Sequence, residues 1–264
     1  MILIWYAVAV IATLFFAPKL EQAYIKNGLA QDKYGWPSGL VFSIGIACFS
    51  IGLYVFGDSI NKILVSEYLL SFCSLISMHF LFVYGLRPIA SKSKELILIH
   101  ALSLILALNF LLYNIKINNL ILCILSITLT VRLSFQINLP AFLIIMIAMC
   151  LFDGYAVWAT DIMQKMMSSY PNITPSGLLN LSFSNMRFLG AGDVVFSTLA
   201  VAFIRRKYTS RHGFLVAISL ICSILILDIT TWRPFNPNSF PCMVLITPIS
   251  LIIILLAKKR ISTP

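Results

Sequence analysis

Nine long apolar runs dominate the sequence. A helix needs about 20 mostly apolar residues to cross a bilayer, and each run has about that length. Hydrophobic residues make up 60% of the chain and charged residues only 11%, whereas roughly a quarter of the residues in a soluble domain are charged. We therefore expect an all-α membrane protein with about nine transmembrane helices and no soluble domain. The predicted spans are 2–17, 38–56, 67–85, 95–113, 117–135, 138–158, 187–204, 213–230 and 240–257.

The connections between the runs are short, except at 18–37 and 159–186. We therefore expect a single polytopic membrane domain over residues 1–264, with a six-span part (1–158), the loop 159–186 and a three-span part (187–264).

The end of the loop 159–186 has a different pattern. The apolar residues Leu179, Leu181 and Phe183 alternate there with polar residues. A period of two is typical of a β-strand. This pattern predicts a short strand at the membrane edge, just before the seventh span.

Lysine and arginine residues indicate the orientation in the membrane. Of the 19 basic residues, 14 follow odd-numbered spans and 5 follow even-numbered spans. Cytoplasmic loops carry the excess of these residues, so we expect an extracytoplasmic N-terminus and a cytoplasmic C-terminus. The net charge of +10 is spread over short loops, which favours contacts with lipid headgroups and argues against a nucleic-acid partner.

Two of the nine acidic residues lie well inside predicted spans. Asp153 is near the outer end of the sixth span, and Asp193 is just inside the seventh. At a rise of about 1.5 Å per residue, both carboxylates should lie roughly 8 Å below the same membrane surface. Gly190 and Gly192 would allow a close approach of helices or local unwinding. The pattern therefore predicts that the two aspartates meet.

Two carboxyl groups that meet share one proton, because they cannot both ionise cheaply. Such a pair suits aspartyl hydrolysis, in which one member takes a proton from water and the other polarises the scissile carbonyl. This chemistry requires no metal ion and no organic cofactor. The same pair would also suit an ion or proton pathway, or a fastening between two helices, and the residues alone leave these alternatives open.

Three short motifs carry a resemblance to a known family. Gly190-Ala191-Gly192-Asp193 matches a GxGD motif, and Phe152-Asp153 is similar to a YD motif with phenylalanine in place of tyrosine. Phe240-Pro241-Cys242-Met243 keeps only the proline of a Pro-Ala-Leu motif. Together, on the sixth, seventh and ninth spans, they resemble the presenilin and signal peptide peptidase family of intramembrane aspartyl proteases.

The resemblance implies that spans 1–6 curve around spans 7–9 and that Asp153 and Asp193 are catalytic. It implies transmembrane helical proteins as substrates, and the predicted orientation favours type II anchors or signal-peptide remnants. The expected site-shaping residues are Gly190, Gly192, Phe152 and Pro241, and the expected substrate-binding residues are Leu179, Leu181, Phe183, Cys242 and Met243.

Two rival functions remain at this point. A prepilin-type peptidase also uses a GxGD motif, but it would have fewer spans and aspartates nearer the cytoplasmic face. A channel or proton-coupled carrier would use the Asp pair without proteolysis. His79 and His100 lie in spans without further ligands at metal spacing, so we expect helix-packing hydrogen bonds from them.

Overall fold

Most of the chain is helical in the computed structural model, which describes residues 2–45, 48, 76, 79–90, 92–111, 115–155, 180–182, 188–230 and 242–262. Within these residues, nine helical segments correspond one to one to the nine predicted spans, so the all-α class is confirmed. They are α1 (Ile2–Lys26), α2 (36–45), α3 (79–86), α4 (Ser93–Leu111), α5 (Ile115–Gln136), α6 (Leu139–Gly154), α7 (Ala191–Lys207), α8 (Ser210–Thr230) and α9 (Met243–Ser262). A 3-10 turn, Arg87–Ile89, follows α3.

Helix α1 is longer than its predicted span, which ended at residue 17. It continues through Pro18 to Lys26. The apolar run stops where charged residues begin, but residues 19–26 are mainly good helix formers, and Tyr24 is still buried. Hydropathy therefore located the membrane crossing and not the end of the helix.

The start of the seventh span was predicted wrongly. Residues 188–190 form strand β2 (Phe188–Gly190), which pairs antiparallel with strand β1 (Asn180–Ser182), and α7 begins at Ala191. Leu181 lies opposite Leu189 in this small sheet. The predicted strand at 179–183 is confirmed over its three described residues. The glycines explain the error, because apolar character alone does not distinguish strand from helix and Gly190 is a weak helix former.

Helix α7 lies at the centre of the described helices. It packs against α1, α5, α8 and α9, and every residue from Phe196 to Ile204 is buried. Phe203 stacks on Phe142 of α6 with the ring centroids 4.2 Å apart. Helix α4 packs on α5. Among the described helices, α1, α5 and α6 thus contact the last three, in agreement with the expected arrangement.

The C-terminal ends of α1, α3, α5 and α7 meet at one end of the bundle, which we call the basic end. The Tyr24 hydroxyl donates to the Gly85 carbonyl (3.1 Å), and the Tyr84 hydroxyl donates to Gln136 Oε1 (2.8 Å). Arg205 of α7 forms an ion pair with Glu21 of α1. These are the C-terminal ends of odd-numbered spans. The predicted alternation of the chain places all of them on one side of the membrane, and their meeting agrees with that.

The surface of the bundle is apolar. Large side chains such as Phe15, Leu98, Leu151 and Leu255 are exposed by about two thirds, which suits contact with lipid. Two described stretches, Ile4–Lys26 and Asn119–Gln136, combine the length and the apolar composition of a membrane crossing; Leu139–Gly154 and Ser210–Ile226 are apolar but shorter.

Candidate active site

Asp153 lies in the last turn of α6. The N-cap of this helix is Asn138, whose side-chain oxygen accepts a hydrogen bond from the Ala141 amide, and Pro140 lies in the first turn. Both features favour the start of a helix. The Asp153 side chain is half-buried, and its Oδ2 atom accepts a hydrogen bond from the Met243 backbone amide at 3.0 Å.

The Met243 amide belongs to the first residue of α9. The first amides of a helix have no partner within that helix, and the partial positive charge at this end favours a carboxylate. Asp153 therefore satisfies a donor that α9 itself leaves unpaired. This contact joins the C-terminal end of α6 to the N-terminal end of α9.

Asp193 lies in the first turn of α7 and is also half-buried. The thiol of Cys242, the residue just before Met243, is buried and lies within electrostatic range of both Asp193 and Asp153. Met243 itself donates to Asp153. The structure therefore brings the two aspartates into the same region, where α6, α7 and α9 meet.

A polar contact one turn further along α9 fixes it against α6. The Thr247 hydroxyl donates to the Met146 carbonyl oxygen at 3.0 Å. This contact holds the two helices that meet at Asp153 in a defined register.

A contact from α1 reaches the same region. Tyr6 is fully buried, and its hydroxyl donates to Ser197 Oγ at 2.8 Å. Tyr6 also lies within electrostatic range of Asp193, one helical turn before Ser197. Sequence reasoning missed both residues. A tyrosine or serine in an apolar run is common, so only knowledge of the α1–α7 pairing would have found them.

The other residues expected at the site have different outcomes. Phe152 is half-buried and packs against the main core, and Gly190 ends β2 opposite Asn180. Gly192 is exposed, and a Cβ atom there would meet nothing within 4 Å. The described residues therefore show no close helix approach at Gly192, which lies in the first turn of α7 just after β2, and its role in shaping the site stays a prediction. Pro241, Leu179 and Phe183 lie outside the described residues.

The two histidines set aside as packing residues do contact each other. His100 Nδ1 of α4 and His79 Nε2 of α3 are 3.3 Å apart, as expected for a hydrogen bond between neighbouring helices. Within the part of the chain that the structure describes, no three histidine, cysteine or acidic residues are grouped as metal ligands.

No family model and no curated protein matches the sequence. Among solved structures, the chain matches the structure of a presenilin family intramembrane aspartate protease with a TM-score of 0.63, over 98% of this chain and 100% of the other. The chain has the fold of a presenilin family protease. Sequence identity to that structure is 12%. The presenilin-type fold therefore extends over nearly the whole chain, although few residues are identical.

Proposed function

We propose that this protein is an intramembrane aspartyl protease and that Asp153 and Asp193 are its catalytic pair. The observation that carries the proposal is the segment 242–243, whose Met243 amide donates to Asp153 and whose Cys242 thiol lies within electrostatic range of both carboxylates. The presenilin-type fold supports the proposal as a separate observation, because the structural match covers nearly the whole chain and does not depend on the short motifs. The two acids come from different helices and are both half-buried, as a water-consuming site inside a membrane protein requires.

The proposed reaction needs one proton on the pair. The ionised aspartate takes a proton from water as the water oxygen attacks the carbonyl carbon of the scissile peptide, and the protonated aspartate donates to the carbonyl oxygen. The resulting gem-diol collapses, the C–N bond breaks, and the nitrogen leaves with a proton from the pair. The Met243 amide supplies a fixed donor to Asp153 in this shielded place.

The proposed substrate of such a site is a transmembrane helix that unwinds locally before cleavage. The β1–β2 sheet runs directly into α7, with Asp193 three residues beyond β2. A substrate segment that unwinds has free backbone donors and acceptors, which an exposed strand edge satisfies. We infer that substrate adds to this sheet; Leu181→Pro should weaken cleavage or move the cut, as read by mass spectrometry of the products. An unchanged cleavage pattern would contradict strand addition.

The decisive experiment uses the purified protein and a type II membrane peptide in detergent. Asp153→Asn and Asp193→Asn should each lower the cleavage rate by at least about a hundredfold, since each removes a proton-transfer group. Asp161→Asn serves as the matched control and should keep its activity, because Asp161 follows the predicted sixth span. Cleavage by both dyad variants at the wild-type rate would overturn the proposal.

The rival functions give different results in the same preparation. A carrier or channel built on the pair would move protons or ions in liposomes without any peptide, and it would leave no new peptide termini. A prepilin-type peptidase would cut near the cytoplasmic face of its substrate. Cuts inside the transmembrane segment of the type II peptide distinguish the proposed activity from both.

A further inference from the structure

Arg132 is a charged residue inside a membrane crossing, far from the candidate active site. It lies in α5, in the stretch Asn119–Gln136 that has the length and the apolar composition of a crossing. Only four residues separate it from Gln136, the end of α5, so it lies roughly 6 Å along the helix from the basic end. A charge at this depth is expensive unless it has a partner or its long side chain reaches the lipid headgroups.

The described part of the chain supplies no acid to Arg132. The carboxylates that form salt bridges at the basic end belong to Glu21, which pairs with Arg205, and to Asp32, which pairs with Arg206. The Nε atom of Arg132 is buried and has no hydrogen-bond partner among the described residues. Because a buried charge without a counter-charge destabilises the protein, an anion from outside the chain would lower the free energy of this end.

Tyr84 holds the guanidinium group in place. The Arg132 Cζ atom lies 3.7 Å from the centroid of the Tyr84 ring, which places the cation over the face of the ring. The ring itself is fixed, since the Tyr84 hydroxyl donates to Gln136 Oε1 at 2.8 Å. A planar guanidinium that lies on an aromatic face is suited to bidentate recognition of a phosphate group, and less of its freedom is lost on binding.

The segments joined to this place add positive charge. Arg87 follows Tyr84 by three residues, and Lys33 precedes Tyr34, whose amide donates to the Gln136 carbonyl at 2.8 Å. Both Arg87 and Lys33 are exposed. Basic residues at a membrane surface attract anionic lipids. A zwitterionic headgroup carries its own cation, so it gains less from these charges than an anionic headgroup does.

We propose that Arg132 and Tyr84 form a binding site for the phosphate of an anionic phospholipid in the leaflet at the basic end. Arg132 binds the phosphate oxygens, and Lys33 and Arg87 contribute long-range attraction. A free phosphate ion has the same chemistry, but it would have to leave water to reach a residue inside an apolar crossing. The acyl chains of a lipid keep its headgroup at this depth without that cost. This site does not depend on the proposed protease activity.

The test adds phosphatidylglycerol, phosphatidylcholine or inorganic phosphate at equal concentration to the purified full-length protein in detergent. Binding is followed by native mass spectrometry and by thermal unfolding. Wild type should bind phosphatidylglycerol about tenfold more tightly than phosphatidylcholine, the ratio that corresponds to one hydrogen bond between charged groups. Arg132→Gln should lose this preference. The matched control, Arg211→Gln, removes an exposed arginine from the first turn of α8 at the same end and should keep it.

Arg132→Lys gives a second test if Arg132→Gln does not fold. It keeps the charge but lacks the planar fork, so it should retain only part of the preference, and full preference in this variant would contradict the role assigned to the guanidinium. Equal binding of the two lipids by wild type, or the same preference in wild type and Arg132→Gln, would overturn the proposal. Inorganic phosphate that raises the melting temperature as much as phosphatidylglycerol would overturn the assignment to a lipid.

Discussion

Asp32 shows how single residues stabilise the basic end. Its carboxylate accepts from Arg206 at 2.8 Å and lies 3.4 Å from the Lys207 ammonium. Burial opposes the ionised form, but the Arg206 hydrogen bond and the charges of Arg206 and Lys207 hold the pKa of Asp32 below its ordinary value. The Asp32 backbone has a φ of 51°, a left-handed conformation that aspartate and asparagine tolerate better than most residues.

Asp32→Asn should therefore remove the charge without straining the backbone. We expect a loss of about 1 kcal/mol in the free energy of unfolding at neutral pH, because the Asn Oδ1 atom can still accept from Arg206 and solvent screens the ion pair of the partly exposed Asp32 side chain. Because the folded pKa lies below the unfolded one, this stabilisation is complete above about pH 4 and is lost as the pH falls through the folded pKa.

Thermal unfolding in detergent at pH 7 and near pH 3 measures this dependence. The difference between wild type and Asp32→Asn should be large at pH 7 and shrink in acid. A difference that is the same at both pH values would show that the charge of Asp32 is not the stabilising feature.

The residues of the candidate site were unequally predictable. Asp153 and Asp193 stand out because a carboxylate in an apolar run is expensive and rare. Cys242 was expected near the site only through the resemblance, and its proximity to both aspartates has no signature in the sequence. Tyr6 had none at all, because its partner Ser197 is 191 residues away.

At the scale of elements, α2 and α6 cross closely where a glycine permits it. A Cβ atom on Gly39 would lie 2.8 Å from the Ala141 carbonyl oxygen and 3.0 Å from Ala141 Cα, both backbone atoms. Backbone atoms cannot move away as a flexible side chain can, so the two helices would have to separate.

Gly39→Ala should therefore destabilise the fold by about 1–3 kcal/mol, the usual cost of overpacking. Gly192→Ala is the matched substitution at an open position and should leave the stability unchanged or slightly higher, because alanine favours helix over glycine. Melting temperatures of the two purified variants test the contrast. Equal destabilisation by both would contradict the packing described for these two glycines.

The limits of prediction at this scale follow from what hydropathy measures. Hydropathy reports the preference of side chains for lipid over water, so it located all nine helical segments that the structure describes. Hydropathy could not show that α1 continues past Pro18. Charged residues end an apolar run, but they can still belong to a helix that extends beyond the membrane. Hydropathy also could not separate β2 from α7, since both are apolar and contiguous.

At the scale of the whole molecule, the alternation of the chain was predictable and the pairing of its helices was not. Basic residues cluster after odd-numbered spans, and those ends do meet. The faces of the helices are harder to predict, because a helix in a membrane presents apolar residues both to lipid and to its neighbours. The central position of α7 therefore had no signal in the pattern of apolar residues.

The orientation in the membrane remains a prediction, with the basic end and the C-terminus in the cytoplasm. Fusion of green fluorescent protein after Pro264 should give a fluorescent product in bacterial cells, and fusion of alkaline phosphatase at the same position should be inactive. The opposite result would place the candidate site toward the cytoplasmic face and would favour the prepilin-type alternative.

The contact between Tyr6 and Ser197 has a consequence for biosynthesis. At a translation rate of about 5–20 residues per second, the 191 residues between them take roughly 10–40 seconds to make. Until then α1 lies in the bilayer without this contact, and its length and apolar composition are those of a helix that can cross a membrane by itself. Thr13 is satisfied at once by the Ala9 carbonyl of its own turn. The Tyr6 hydroxyl, in contrast, gains its partner Ser197 only after α7 has been synthesised.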